Sequence, residues 1–381
     1  MKKSIVFVVS LVILSLIMTA CATPTAPPPQ TVLQTVIVPQ VQTAVVEVKS
    51  TVEVPVIQTV QVVEKGVKTI GYGAPELSGG QGAIMNGMVT GAQSKNWKIV
   101  TTNANFDASK QADQIDYMMS SGDDAIVVVP VDSKAICASA KKVMDAGIPF
   151  FTIDRAPIGC KINMVVQSDN YLAGKQSGEA MVDLLTKKYG EPKGTVLELQ
   201  GDLGQNVAQL RGGGFNDVLK AYPNIKVISK PTEWKAEKFS QNVLDVVGAE
   251  AVDGIYMHSD CVGTVPVLAA LEQLGKKFKS DDKKHIFITG VDGCKDTLTN
   301  IRDGFVDEAS SQPLPDFGVV IADFMERLFN GETLKPETIT KEGAPWSPAV
   351  VVDSDVGLMA NLATTKVTAE NASDKALWGN Q

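Results

Sequence analysis

Between Lys68 and Val352 the sequence keeps returning to one arrangement: a short run rich in Val and Ile, then a longer stretch with apolar side chains at helical spacing. Such a chain is restricted to α/β architecture with parallel sheets, because parallel neighbours need a crossover long enough to hold a helix. Strands are expected at Thr69 to Ala74, Lys98 to Asn103, Ala125 to Pro130 and Pro149 to Arg155, with helices at Gly82 to Lys95, Ser109 to Ser121 and Ser133 to Ala146 between them. A helix from Tyr171 to Lys188 opens a second series, with strands Thr195 to Gln200, Lys226 to Lys230, Gly254 to Ser259 and Ile286 to Val291. Helices at Asn206 to Ala221, Ala236 to Val247, Thr264 to Leu274 and Cys294 to Arg302 intervene, and Asp316 to Phe329 precedes a last strand, Ala349 to Val352. Two open sheets imply two Rossmann-like lobes facing each other across a cleft, with ligands held beyond the carboxyl ends of the strands.

The first 66 residues are a different polymer, with seven charged side chains (Lys2, Lys3, Lys49, Lys65, Glu47, Glu53, Glu64) and a single aromatic, Phe7. Lys2 and Lys3 precede an apolar run from Ile5 to Met18, too short for a bilayer span but suited to a signal-peptide core. Met18-Thr19-Ala20-Cys21 resembles a bacterial lipobox, although Met18 stands where Leu is usual. Residues 1–20 are therefore expected to be a lipoprotein signal peptide and Cys21 the lipidated residue; the plainer alternative is a secretory signal with a chance cysteine. Residues 21–66, rich in Val, Gln, Thr and Pro, are expected to be a low-complexity tether, with pairing of the Thr51 to Val63 stretch to another chain as the alternative. On either reading the protein is exported to the outer face of the cell membrane or the periplasm.

Composition narrows the chemistry. With 35 basic against 43 acidic residues the chain is mildly acidic and carries no basic tract, a poor start for nucleic-acid binding. Two histidines, His258 and His285, leave little material for His-based metal or acid–base work, so no metal and no catalytic residues are expected. Gly71, Gly73, Gly80 and Gly82 do not keep the dinucleotide-loop spacing, and no cofactor is expected.

The loops after the strands are unusually polar. Glu76, Ser78 and Gln81 follow the first strand and Asp154-Arg155 the fourth. In the second series come Gly201 to Asn206 with Arg211, then Glu233-Trp234, His258-Ser259-Asp260, Asp292-Gly293, and Ser310-Ser311-Gln312. Carboxylate, guanidinium, amide, hydroxyl and one indole, without a nucleophile–base pair, describe a surface for holding a polyol.

Phe151-Thr152-Ile153-Asp154-Arg155, Gln167-Ser168-Asp169-Asn170 with Gly174, Glu198-Leu199-Gln200-Gly201, Arg211-Gly212-Gly213-Gly214-Phe215 and Gly290-Val291-Asp292-Gly293 occur in an order and spacing that resemble the ribose-type periplasmic binding proteins of bacterial ABC importers. The resemblance implies the type I fold, two Rossmann-like lobes joined by a three-crossover hinge: 68–168 plus 313–345, and 169–312 plus 346–360, with 361–381 as a C-terminal tail. It implies that Asp154 and Arg155 grip sugar hydroxyls from one lobe and Arg211 and Asp292 from the other. Trp234 would serve as aromatic wall, with Ser259 and Gln312 as further contacts. Glu76, Ser78 and Gln81 are added from a turn where relatives usually carry Phe with an Asn, so one half of an aromatic sandwich is missing there.

Of the remaining cysteines, Cys137 and Cys160 fall in the first lobe and Cys261 and Cys294 in the second. Within-lobe pairs would leave the hinge free in an oxidising exterior; four buried free thiols are the alternative. The expected function is an extracytoplasmic solute-binding lipoprotein that captures a sugar or sugar-like polyol and delivers it to ABC permease subunits. A sensor feeding a membrane kinase or chemoreceptor is the alternative. A carbohydrate-active enzyme is disfavoured because Arg155 and Arg211 would keep Asp154 and Asp292 ionised, leaving no general acid.

Overall fold

The computed structural model describes residues 66–381. The expected signal peptide, Cys21 and all but the last residue of the expected tether lie outside the described residues. The chain opens with β1 (Thr69–Ala74), α1 (Gly79–Ser94), β2 (Lys98–Asn103), α2 (Ala108–Ser120), β3 (Ala125–Val128), α3 (Ile136–Asp145), β4 (Phe150–Ile153) and β5 (Met164–Ser168). α4 (Asn170–Tyr189) leads into β6 (Gly194–Gln200), α5 (Asn206–Leu219), β7 (Ile225–Pro231), α6 (Ala236–Ala249), β8 (Gly254–Met257), α7 (Asp260–Gln273), β9 (Phe287–Asp292), α8 (Lys295–Arg302) and β10 (Glu308–Ser311). The return runs through α9 (Leu314–Phe329), β11 (Glu337–Ile339), β12 (Ala349–Ser354) and β13 (Gly357–Leu362) to β14 (Thr365–Val367) and a closing 3-10 turn, Trp378–Asn380.

Two sheets result, ordered β11-β12-β13-β5-β4-β3-β1-β2 and β14-β10-β9-β8-β6-β7. The first has a parallel core of β2, β1, β3, β4, β5 and β13, with β12 and β11 antiparallel at one edge; in the second, only β14 runs against its neighbour. The parallel strands read as continuous apolar runs because helices cover both faces. Accordingly β3 (Ala125, Ile126, Val127, Val128) is wholly buried, as are Phe150, Phe151 and Ile153 of β4. One core layer joins Tyr72, Phe151 and Val166 to Ile84 and Met88 of α1 and Phe317 and Ile321 of α9. In the second lobe Leu197, Leu199, Ile255 and Ile288 pack on Phe239 and Val243 of α6. Asp107 and Asp169 cap α2 and α4, accepting hydrogen bonds from first-turn amides. Among the described residues no helix is long and apolar enough to cross a membrane.

The structure corrects three expectations. The segment 346–360 was expected in the second lobe, but β12 and β13 extend the first sheet, because β13 finds its parallel partner in β5. Residues 361–381 are not a free tail: β14 pairs with β10 in the second sheet. β10 itself reads as a polar loop, Glu-Ala-Ser-Ser, yet all four residues are buried. The Ser310 and Ser177 hydroxyls donate to the Glu308 carboxylate at 3.1 and 3.3 Å, which satisfies polar groups that the sequence presents as solvent-facing. Two disulfides form, Cys137–Cys160 and Cys261–Cys294, each inside one lobe.

Candidate functional site

Most of the polar segments that the sequence leaves after its strands contribute residues to one cleft between the lobes. The cleft's lining includes Glu76, Gln81, Asp154, Arg155, Arg211, Trp234, Ser259, Asp292 and Gln312. This is the position that open parallel sheets offer a ligand, just beyond the strand carboxyl ends. Of the ten candidates only Ser78 is not brought into the lining; it precedes α1 and donates a hydrogen bond to Glu76 at 2.9 Å on the exposed side of the turn.

The first-lobe half is sparse. Asp154 ends β4, and its Oδ2 accepts from Gln81 Nε2 at 2.9 Å, reaching across from the first turn of α1. Arg155 lies beside it, with Nε 3.5 Å from the same oxygen but aligned too poorly for a hydrogen bond, while one terminal nitrogen donates to the Pro130 carbonyl at 2.9 Å. Both side chains are buried. Burial pulls the Arg155 guanidinium below its ordinary value, and the Asp154 charge works against that. Arg155 Nε and Gln81 Oε1 thus remain buried polar atoms without a protein partner.

The second-lobe half is more densely bonded, although Gln312 Oε1 and His258 Nδ1 are buried without a protein partner. Arg211, one turn into α5, donates from Nε to Asn170 Oδ1 at 2.8 Å and from one terminal nitrogen to the His258 carbonyl at 2.5 Å; the same nitrogen lies 3.3 Å from Asp292 Oδ1. Asp292 also accepts from Ser259 Oγ at 2.5 Å and from the Gln312 amide. Burial pushes the Asp292 carboxyl upward, and the Arg211 charge with the Ser259 and Gln312 hydrogen bonds pulls it back. Desolvation is the larger influence on this carboxyl, and Arg211 counters it.

Trp234 stands between the halves. Its ring lies on the backbone of Gly201, where an added Cβ would come within 1.9 Å of the indole, and the Arg211 guanidinium sits 5.9 Å from the ring centroid. Opposite halves of the cleft therefore both carry aromatic surface, because Phe106, from the loop after β2, also reaches the lining and is 45% exposed. An aromatic ring thus reaches the cleft from the loop after β2, whereas the turn after β1 carries none. Seven non-glycine residues among those described have positive φ; Phe106, Asp154, Trp234 and Asp292 line the cleft, and Asn105 and Glu233 each precede one of them. Left-handed backbone costs on the order of 1–3 kcal/mol per residue, so its concentration here marks a surface aimed by the fold against local preference.

Sequence reasoning missed a second set of residues, which join the lobes directly. Gln205 accepts from Trp234 Nε1 at 2.7 Å and donates to the Val131 carbonyl of the first lobe at 2.9 Å. Asn206 accepts from the Ala156 amide at 3.0 Å and donates to Gln167 at 3.2 Å. Two of these four partners, the Val131 carbonyl and the Ala156 amide, are backbone atoms, which leave no mark in a sequence.

Residues 78–333 match the periplasmic binding protein domain. The chain is 31% identical over 259 residues to the xylitol-binding protein of Mycolicibacterium smegmatis, covering 66% of this chain and 70% of that one. It is 26% identical over 257 residues to the ribose import binding protein of Bacillus subtilis, covering 66% and 78%. Among solved structures, a solute-binding protein of an ABC transporter from Bacillus halodurans with bound myo-inositol superposes with a TM-score of 0.69 at 20% identity, over 83% of this chain and 99% of that one. These relatives are binding proteins and not enzymes. Two α/β lobes, a cleft at their strand ends and a match that spans most of both lobes have one reading: the chain belongs to the periplasmic binding protein family, among the type I sugar-binding proteins of bacterial ABC importers.

Proposed function

We propose that this protein is a lipid-anchored receptor that captures a sugar or sugar-like polyol between its lobes and hands it to the transmembrane subunits of an ABC permease. The observation that carries the reading is the pair of carboxylate–guanidinium couples, Asp154–Arg155 and Asp292–Arg211, placed on opposite lobes of one cleft. A carboxylate accepts from adjacent hydroxyls, a guanidinium donates in a planar fork, and the faces of Trp234 and Phe106 cover C–H surface. A small polyhydroxylated ligand answers to all three. The 31% identical relative named for xylitol supports an acyclic polyol as one candidate beside pentoses and inositols. Anchoring rests on Met18-Thr19-Ala20-Cys21 behind the Lys2-Lys3 apolar run.

The test is thermal unfolding against xylitol, D-ribose, L-arabinose, D-galactose and myo-inositol. A ligand at a hundredfold excess over Kd adds about 2.7 kcal/mol of stability and raises the melting temperature accordingly. A panel that leaves the melting temperature unmoved overturns the reading. Cys21→Ala is expected to move the exported protein from the membrane fraction to the soluble one.

A further inference from the structure

The chain does not trail off after β13. β14 docks antiparallel on β10, pairing Ala309 with Val367 and Ser311 with Thr365. The final turn is held by Arg302, which donates to the Ala372 carbonyl at 2.7 Å, and by Asn380, whose amide donates to the same carbonyl at 3.0 Å. That turn delivers two residues onto the loop that carries Asp292. Trp378 Nε1 donates to the Asp292 carbonyl at 2.8 Å, beside the Gln312 amide at 3.1 Å on the same oxygen. Gly379 lies so close beneath the loop that an added Cβ would approach the Gly293 carbonyl to 2.3 Å.

From the other side the buried Asp260 carboxylate accepts from the Gly293 and Cys294 amides at 2.9 and 3.2 Å. The loop is therefore gripped by its amides on one side and by its first carbonyl on the other. The grip acts on a residue that resists it, since Asp292 has φ 122°, a conformation that favours glycine. At a given φ the direction of the Cα–Cβ bond is fixed by the peptide planes, so whatever holds the Asp292 carbonyl aims its carboxylate. Trp378 is not in the cleft lining.

We propose that Trp378 is a positioning residue, whose indole N–H on the Asp292 carbonyl holds that peptide in its strained conformation and so aims the Asp292 carboxylate at Arg211, Ser259 and the cleft. The inference rests on the reading of Asp292 as a ligand contact, and the experiment separates the two.

Trp378→Phe keeps an aromatic ring and deletes the donor. Hydrogen–deuterium exchange of the free protein, read at the Gly293 and Cys294 amides, is expected to speed up by about 3- to 10-fold, the worth of one hydrogen bond. Affinity for whichever of xylitol, D-ribose and myo-inositol binds falls by a similar factor. Trp378→His, which can donate from its ring, restores part of the protection, and Gly379→Ala, which pushes the turn away, reproduces the loss. Val246→Ala, in α6, is the control for general loosening: it lowers the melting temperature and leaves exchange at these two amides unchanged. Unaltered exchange in Trp378→Phe, or equal acceleration in Val246→Ala, overturns the proposal. Asp292→Asn with undiminished affinity overturns instead the ligand reading of Asp292, while the exchange result still decides what Trp378 does.

Discussion

The two halves of the cleft offer the same functional groups in opposite conditions. In the second lobe, Arg211 bonds Asn170, the His258 carbonyl and Asp292 through Nε and one terminal nitrogen, and Asp292 also accepts from Ser259 and Gln312. In the first lobe, Asp154 has Gln81, Arg155 has the Pro130 carbonyl, and Arg155 Nε and Gln81 Oε1 have nothing. A finished network holds its shape with or without a ligand, whereas an unfinished one is completed by it. The second lobe is thus the more heavily cross-braced half, although each half keeps buried polar atoms without a protein partner, Gln312 Oε1 in one and Arg155 Nε and Gln81 Oε1 in the other.

This contrast is breakable. The largest effect is expected for Arg211→Ala, which strands a buried carboxylate: sugar binding falls below detection in titration calorimetry, and stability drops by about 3–5 kcal/mol in denaturant unfolding. Arg155→Ala should separate the two losses. Affinity falls about 100-fold, because charged hydrogen bonds to ligand vanish, while the stability loss stays well under that of Arg211→Ala. Equal stability losses in the two variants would erase the distinction between the halves.

The aromatic walls give a finer comparison. Trp234→Ala removes a ring that also bonds Gln205, and a loss of about 2 kcal/mol in binding is expected; Phe106→Ala, from the more exposed wall, costs about 1 kcal/mol. The reverse order would place the tighter face in the first lobe.

A pH slope tests the second lobe independently of any ligand. Burial pushes the Glu308 carboxyl in the second lobe up to about 8, and Asp260 is raised in the same way. A raised carboxylate holds a proton that the unfolded chain releases above its ordinary value of 4.5, so stability declines as pH rises from about 4.5 to about 8. His285, raised by its bond to Asp307 against desolvation, acts in the same direction: its contribution is lost as pH rises through its folded value. Glu308→Gln should flatten the decline in melting temperature over that interval. An unchanged slope would remove Glu308 from the account.

Much of this was legible beforehand because the chain writes its parallel strands as apolar runs and ends them in charged pairs. Asp154, Arg155 and Asp292 stand at the carboxyl ends of strands and Arg211 a turn into a helix, where the polar pattern together with the family resemblance singles them out. Phe106 was illegible, since Asn105-Phe106 reads as an ordinary turn and only its left-handed backbone turns the ring into the cleft. β10 was hidden by its serines, whose partner Glu308 is buried with them. β13 and β14 were misassigned because the chain crosses between sheets within 363–364, and nothing in a two-residue step announces a change of lobe. Gln205 and Asn206 were hard to find from side-chain types, because part of what they bond, the Val131 carbonyl and the Ala156 amide, is backbone.

Those last hydrogen bonds bear on selectivity. Discrimination between two ligands is a difference of two affinities, and any contribution made equally to both cancels in it. Gln205 and Asn206 bridge lobe to lobe through protein atoms alone, so whatever they add to closure enters every ligand's affinity as a common factor. Weakening them, as in Asn206→Ala, should raise all dissociation constants in proportion and leave the ranking of sugars untouched. The protein can therefore be tuned for strength and for choice at separate addresses.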